Sequence, residues 1–349
     1  MHIAQVAPLA ESVPPKLYGG TERVVAYLTD ELVARGHHVT LFASGDSRTR
    51  ADLDPICPTS LRLDPRCRDR QAHVVRQLAR VVRRAHEFDI IHFHIDALHY
   101  PLCRALGLTC LTTLHGRLDL PELRYLHDEF SDMPLVAISH AQRAHLPGAR
   151  FVGTVYHGLP LDLYRFTPTP GDYLAFLGRL SPEKRVDRAV AIARRLGLRL
   201  RVAAKIDDTD RDYYERAIAP LFRDPLVEFV GEIGERDKSD FLGGARCLLF
   251  PVDWPEPFGL AMIEAMACGT PVVAFRCGAI PEVIDEGVTG YCVDDLDAAV
   301  AATARAAELD RRRCRETFER RFSAGRMARD YLRLYGALVE EAGRRGAAA

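Results

Sequence analysis

The sequence predicts an α/β protein of two domains, each built on a parallel sheet. Three observations carry this. The length of 349 residues exceeds that of one ordinary domain. Near residue 2, and again near residue 173, an apolar strand pattern runs into a loop, an amphipathic helix and a second apolar strand, which is a βαβ unit. Residues 251–275, PVDWPEPFGLAMIEAMACGTPVVAF, follow the apolar run CLLFP and read as loop, short helix and strand. The loop falls where open parallel sheets bind ligands.

Composition narrows the classes. A hydrophobic share of 48% with 8% aromatics suits ordinary globular cores. The formal net charge of −1 gives no field directed at nucleic acid. Only four residues are lysine (16, 184, 205 and 238), so nearly all the positive charge is arginine. Nine cysteines with no C-x-x-C argue against a disulfide framework or a zinc ribbon. The start, MHIAQVAPLA, lacks the basic region of a signal peptide. No apolar stretch reaches the ~18 residues that span a bilayer. A soluble, cytoplasmic protein is expected, with GRRGAAA as a frayed tail.

HIAQVAP reads as the first strand and 9–18 as a loop with Pro14 and Pro15. Gly19-Gly20 then opens a helix on which Val24, Val25, Leu28, Leu32 and Val33 share a face, and Gly36 ends it. HVTLFAS is the second strand. The loop is not G-x-G-x-x-G, and no acidic residue ends the second strand as it would for a dinucleotide ribose. Two glycines either make a tight turn or let a ligand approach a helix N-terminus closely. Residues 62–86 are rich in arginine, with an apolar face from about 70 that includes Val74, Val75, Leu78, Val81 and Val82. This reads as a surface helix with a solvated basic face, or as a patch for an anionic acceptor or membrane surface.

In DIIHFHIDALHY, His92 and His94 lie two apart and so on one side of a strand. With His99 and Asp96 they make either a zinc set or an ordinary strand end. LTCLTTLHG is a further strand, and His115 lies just past it, where a side chain faces ligand or packs in a turn. Its imidazole can hydrogen-bond a sugar hydroxyl. LVAISHAQR is a strand followed by a helix capped by Ser139.

VGTVYHGLPLDLYRF ends the first sheet, and Pro168 and Pro170 mark a hinge. In YLAFLGRLSPEKRVDRAV a strand ends at Gly178, and Arg179 and Lys184 bracket the loop before a helix. Two fixed cations near helix amides form a diphosphate site, or are simply solvated. LRVAAK is a strand ended by Lys205. IDDTDRDYYERAIAPLF reads as a helix whose Asp207, Asp208 and Asp210 are acidic start signals, or else a metal-binding run. VEFVGEI is the next strand, and the last segments, DLDAAVAATARAAEL and FSAGRMARDYLRLYGALVEEA, are helical.

In 251–275, Leu260, Ile263, Met266 and Ala267 form one helical face, Gly269 fits the C′ position and Pro271 stops the helix. Glu256 precedes the helix and Glu264 lies within it. A carboxylate can accept two hydrogen bonds from a vicinal diol. The free amides near Phe258–Leu260 suit an anion. The two glutamates can stand roughly 8–10 Å apart. Diol, phosphate and diol in a row describe a nucleotide sugar. The other reading is one glutamate favoured by the helix dipole and one facing solvent.

The string E-P-F-G-L-x-x-x-E-A-M-A-C-G-T-P-V-V-A (256–274) resembles the E-x7-E signature of the retaining glycosyltransferases of family 4, which have the GT-B fold. Y-G-G-T-E-R (18–23) resembles that family's glycine loop, and T-x-H-G (113–116) the position whose histidine faces the donor hexose. G-R-L-x-x-E-K (178–184) resembles its phosphate motif, with Arg185 where the family usually has glycine. Gly231-Glu232-Ile233 resembles the segment that cradles the base through backbone groups. His157-Gly158-Leu159-Pro160 departs from the usual N-G-V-D-like string.

The resemblance implies two Rossmann-like, doubly wound domains facing a cleft. Residues 1–163, completed by about 323–349, form the acceptor side; 164–322 bind the nucleotide sugar; a C-terminal helix crosses back to the first domain. It implies retaining transfer of a hexose from a nucleotide-diphosphate sugar. The donor residues are then Gly19, Gly20, Arg179, Lys184, Gly231, Glu232, Ile233, Glu256, Phe258, Gly259, Leu260 and Glu264. Glu264 holds the ribose and Glu256 the hexose. His115, Glu256, Arg179 and Lys184 form the catalytic set, with no metal and no cofactor. The acceptor, a sugar, lipid-linked sugar or small molecule, is set by loops 44–68 and 116–133. A weak membrane-surface contact is allowed, and nucleic acid is not expected. The alternatives are a nucleotide-sugar epimerase, a non-catalytic binder, or a retaining glycoside hydrolase with the glutamates about 5–5.5 Å apart.

Overall fold

The computed structural model describes residues 1–62 and 64–348, the side chains of 346–348 apart. It divides into two compact units, Met1–Gly158 with Ala324–Ala349, and Leu159–Ser323. The division falls at Gly158, where the sequence reading places it at 163.

In the first unit, apolar runs alternate with amphipathic ones, giving β1 (His2–Val6), α1 (Gly20–Ala34), β2 (His38–Ala43), β3 (Asp52–Pro55), α2 (Arg70–Arg84), β4 (Ile90–Phe93), α3 (Tyr100–Leu106), β5 (Cys110–Thr113), α4 (Pro121–Glu129), β6 (Leu135–Ala137), α5 (His140–Arg143) and β7 (Phe151–Thr154). The strands pair parallel in the order β3-β2-β1-β4-β5-β6-β7. Parallel strands are covered on both faces, which is why β4, β5 and β6 are buried at every residue. The order reverses between β1 and β4, so the loops after these two strands meet at the switch point. Those loops carry the Gly19-Gly20 pair and His94.

Helix α2 begins at Asp69, whose carboxylate caps the Gln71 and Ala72 amides. Its basic face is partly neutralised, because Arg80 and Arg84 both bind the buried Asp54, at 2.8 and 2.6 Å. Val75, read as apolar-face, is 61% exposed; Gln77, Leu78 and Val81 form the buried edge.

The second unit contains β8 (Tyr173–Arg179), α6 (Val186–Leu196), β9 (Arg199–Lys205), the short α7 (Arg211–Tyr213), β10 (Val227–Gly231), α8 (Glu235–Gly243), β11 (Ala245–Phe250), α9 (Leu260–Ala267), β12 (Val272–Phe275), α10 (Ile280–Val283), β13 (Gly290–Val293), α11 (Leu296–Ala306) and α12 (Arg311–Arg321). Its six parallel strands run β10-β9-β8-β11-β12-β13. Here the order reverses between β8 and β11. Arg179 ends β8 and the loop after it runs to Arg185, while the loop after β11 holds Trp254 to Gly259. Both motifs singled out in the sequence therefore flank the switch point.

Three expectations need correction. The helix expected over IDDTDRDYYERAIAPLF is broken into a 3₁₀ turn, α7, a π-turn at 214–218 and a second 3₁₀ turn. Asp207, Asp208 and Asp210 do not cap it, because the first and last of them turn to Arg179 instead. Helix α9 is buried nearly all round rather than on one face: Met262 to Ala267 are all covered, and only Leu260 and Ala261 are partly exposed.

Helix α12 secures the far end of α9. The buried Arg311 donates to the carbonyls of Thr167, Ala245 and Gly243 at 2.7, 2.9 and 2.7 Å, and to Thr270 Oγ1 at 2.6 Å. Arg315 donates to the Ala267 carbonyl at 2.6 Å. Helix carbonyls at a C-terminus lack internal partners, and Arg315 supplies one at the end of α9 and Arg311 one at the end of α8.

The last helix, α13 (Ala324–Ala348), belongs to the first unit and packs on α1 and β4. It runs through the tail read as frayed; Ala349 lies outside the described residues.

Replacing Arg311 with Met orphans four buried acceptors. The expected loss is about 3–5 kcal/mol, read as a lower urea midpoint for the second unit; an unchanged midpoint contradicts this role.

Candidate active site

In the second unit, β11 ends at Phe250 and the chain turns through Trp254, the only tryptophan, to Glu256. Gly278 makes this turn possible. Its φ is +55°, and a Cβ there would lie 2.4 Å from both the nitrogen and the oxygen of Glu256. The Ala279 amide donates to the Glu256 carbonyl at 2.9 Å. The backbone of Glu256 is thus clamped from below.

The Glu256 carboxylate is 8% exposed as a residue and is already engaged. Its Oε2 accepts from Trp254 Nε1 at 2.9 Å and from the Lys184 ammonium. Lys184 lies 4.8 Å from the Trp254 ring centroid, a cation–π contact that fixes its side chain. The structure therefore joins Glu256 to Lys184 directly.

Glu264 lies on α9, and Gly259 precedes the helix at φ +89°. Glu264 faces inward rather than to solvent, with its residue 3% exposed. Its Oε1 is held by Lys238 Nζ at 2.7 Å, and Glu235 Oε2 stands 4.0 Å from the same ammonium. Lys238 comes from α8, a few residues after Gly231-Glu232-Ile233. The first amides of a helix lack intrahelical acceptors; in α9 the Met262 amide already donates to the Gly259 carbonyl at 3.0 Å.

Arg179 closes β8 and is ringed by acid. Glu183 Oε1 lies at 2.6 Å, Asp210 Oδ2 at 3.3 Å and Asp207 Oδ2 at 3.7 Å. Lys205 pairs with Asp207. Burial pushes the Asp210 carboxyl up, against the pull of Arg179. Arg185, standing where the resemblance calls for glycine, has φ +51°, a left-handed backbone that glycine adopts freely. Its guanidinium is tied to Asp187 at 2.8 Å and Asp253 at 2.7 Å, so it braces the loop rather than adding a free cation.

In the first unit, the Gly19 position is closed by packing: a Cβ would come 2.8 Å from Pro15 Cβ. Buried Arg23 donates to the Leu17 carbonyl at 3.0 Å and braces the glycine loop. Burial raises the Glu22 carboxyl above its usual range.

The histidines form a connected array. His92 Nδ1 meets Tyr335 Oη at 2.7 Å and its Nε2 meets Thr113 Oγ1 at 2.7 Å. His94 Nε2 meets Gln5 Oε1 at 2.8 Å, and its Nδ1 meets His115 Nε2 at 2.9 Å. The His115 ring stacks near His157 at 5.3 Å. Burial pushes His99 and His115 down to about 3, and burial first, then neighbouring imidazoles, hold His92, His94 and His157 well below the usual range. Among the described residues no group of three or more His, Cys, Asp or Glu is arranged to hold a metal.

Sequence reasoning missed Lys238, Trp254 and Gln5. Two signals were available: Lys238 is one of four lysines, and Trp254 is the lone tryptophan, set between an aspartate and a proline in the key loop. All four lysines sit against carboxylates. Gln5 carried no signal, since its partners are 89 and 330 residues away.

Two parallel sheets, each with its loops converging at a switch point, define a GT-B-like protein, and lysine-backed carboxylates stand at the switch point of the second sheet. The description "Glycosyl transferases group 1" matches residues 166–321, and "Glycosyltransferase Family 4" matches 18–152. The two matches lie one in each unit, and the chain is similar to glycosyltransferase family 4 in both. It is 29% identical over 211 residues to a D-inositol 3-phosphate glycosyltransferase of Mycolicibacterium smegmatis, covering 53% of this chain and 45% of that protein. It is 33% identical over 174 residues to a GDP-mannose-dependent alpha-(1-6)-phosphatidylinositol dimannoside mannosyltransferase of Mycobacterium tuberculosis, covering 48% and 44%. The matches thus span under half the length of these relatives. Among solved structures, AviGT4, a glycosyltransferase involved in avilamycin A biosynthesis, superposes with a TM-score of 0.75 at 25% identity, over 97% of this chain and 98% of that one. Anabaena Alr3699/HepE shares the fold, with a TM-score of 0.76 at 18% identity over 97% and 100%.

The buried imidazoles predict acid lability. A histidine held neutral in the fold binds fewer protons than it does unfolded, so stability is complete above the unfolded value of about 6.5 and falls as pH drops below it. Each such group contributes up to about 1.4 kcal/mol per pH unit. The urea midpoint at pH 5.5 should lie clearly below that at pH 7.5; equal midpoints would mean the rings are not neutral.

Proposed function

We propose that the chain is a retaining glycosyltransferase that moves a hexose from a nucleotide-diphosphate sugar to an acceptor. The observation that carries this is the pairing of each glutamate in E-x7-E with a lysine, Glu256 with Lys184 and Glu264 with Lys238. A carboxylate held on one oxygen by an ammonium is fixed in place, with its other oxygen able to accept from hydroxyls. That suits Glu264 to a ribose diol and Glu256 to hexose hydroxyls. The GDP-mannose-dependent relative and HepE, crystallised with UDP and glucose, support a nucleotide-sugar donor.

Lys184, Arg179 and the α9 first-turn amides take the diphosphate and stabilise charge as the glycosidic bond breaks. Gly231, Glu232 and Ile233 offer backbone groups to the base. Gly19 and Gly20 form the first unit's anion-facing turn, and His115 meets a sugar hydroxyl. No metal is needed in this scheme, because fixed cations and amides meet the diphosphate. The leaving phosphate takes the acceptor proton on the same face, which retains configuration. The nine cysteines, free in the described structure, fit a cytoplasmic setting, and no helix among the described residues is long and apolar enough to cross a membrane. The exposed arginines of α2 suit a weak contact with an anionic membrane surface. A glycoside hydrolase fits less well, since each glutamate is bonded to an ammonium and not poised to give up a proton.

A thermal-shift series with UDP, GDP, ADP and dTDP, each with and without EDTA, tests the donor assignment. One nucleotide at 100 times its dissociation constant should add about 2.7 kcal/mol of apparent stability, unaffected by EDTA, and Glu264→Gln should weaken it at least tenfold. No shift with any of the four rejects the assignment.

The acid around Arg179 competes with a diphosphate for the same guanidinium. Asp210→Asn should therefore tighten binding of the responding nucleotide several-fold by isothermal titration. Weaker binding would place Arg179 outside the diphosphate site.

A further inference from the structure

The hydrogen-bond chain behind His115 has a direction that follows from its members' chemistry. It begins at Tyr335 on α13. Gln5 Nε2 donates to Tyr335 Oη at 3.0 Å, and that hydroxyl meets His92 Nδ1 at 2.7 Å. With its amide nitrogen committed to Tyr335, Gln5 turns its carbonyl Oε1 to His94 Nε2 at 2.8 Å. A carbonyl oxygen only accepts, so His94 carries a proton on Nε2. A neutral imidazole has one proton, and burial holds His94 neutral. Its Nδ1 is then a bare acceptor. The atom facing that acceptor at 2.9 Å is His115 Nε2, which must donate. His115 is also neutral, so its own Nδ1 has no proton. This Nδ1 is buried and has no hydrogen-bond partner among the described residues. A buried acceptor without a donor carries its desolvation cost uncompensated, which a ligand donor recovers.

We propose that Gln5 and His94 are positioning residues that fix His115 with its proton on Nε2 and present its Nδ1 lone pair to a hydroxyl of the ligand. The ligand class follows. His115 accepts, so it takes an alcohol O–H, as on a neutral sugar. It does not pair with a carboxylate or phosphate oxygen, which would set lone pair against lone pair. Nor does it serve as an acid. A uronic-acid carboxylate at this position is disfavoured, and a free hydroxyl is selected. The ligand part of this inference rests on the proposed transferase function; the tautomer part does not.

The test uses the full chain with ¹⁵N-labelled histidine and long-range ¹H–¹⁵N correlation. In the free protein His115 should show its proton on Nε2; a proton on Nδ1 overturns the inference, because the chain then runs the opposite way. In Gln5→Leu and His94→Leu the preference should be lost. In His94→Asn, whose side-chain carbonyl replaces Nδ1 as acceptor, it should be kept. The same Nε2 tautomer in both leucine variants would remove the positioning role. The free wild-type spectrum needs no variant, so a leucine variant that fails to fold leaves the decision intact. For the ligand, UDP-glucose and GDP-mannose are compared with UDP and GDP. The sugar of whichever pair binds should shift the His115 Nδ1 resonance, and the bare diphosphate should not; equal shifts, or none on bound nucleotide sugar, refute the hydroxyl contact. If no nucleotide binds at all, the transferase reading fails, and with it the hydroxyl assignment, while the tautomer result still stands.

Discussion

Helix α9 carries a carboxylate into a protein interior, and the contact between Lys238 and Glu264 makes that arrangement tolerable. An unpaired buried carboxylate costs several kcal/mol, and an ammonium at 2.7 Å offsets much of it. Because the pair is closed on one oxygen, the second is kept at a fixed place. Neighbouring parts of the second unit serve this helix: Gly278 admits the preceding turn, Gly259 starts the helix at positive φ, Arg315 takes up the Ala267 carbonyl at its far end, and Arg311 holds the Thr270 hydroxyl just beyond it.

Lysine and arginine divide the labour. Arginine, with its rigid fork, makes the structural clamps at Asp54, at Asp253 and beneath α9. Lysine stands at both signature glutamates, where a compact ammonium with three donors can hold a carboxylate and still offer a bond elsewhere. Arg179 is the exception, an arginine at the loop after β8 whose charge is met by three acids.

Much of the architecture was legible because a parallel sheet writes itself locally: each strand is an apolar run, each helix has a 3.6-residue stripe, and the loops between them hold glycine and proline. The helix opening near Phe258–Gly259, found at Leu260, the glycine stop at 269 and the Ser139 cap were read from neighbours within four residues. What was illegible depended on partners far away. The helix expected over 206–222 breaks where Asp207 and Asp210 turn to Arg179, a contact no local pattern announces. The same holds for Lys238 on Glu264 and for Gln5 on Tyr335. Glu256, Glu264, Arg179 and Lys184 were singled out by spacing and resemblance, but the direct bond from Lys184 to Glu256 was not, since the sequence reading gave them different phosphate and sugar duties.

The first unit is assembled from both ends of the chain, with the whole second unit inserted between Gly158 and Ala324. Synthesis proceeds from the N-terminus, so the first sheet leaves the ribosome well before α13 exists. Until Tyr331 and Tyr335 emerge, Thr113, His92 and Gln5 lack the phenol groups that complete their hydrogen bonds. The nascent first unit therefore holds a half-satisfied polar seam through the making of some 165 residues (Leu159 to Ser323), a natural substrate for chaperone holding. Its completion waits until α13 has been made.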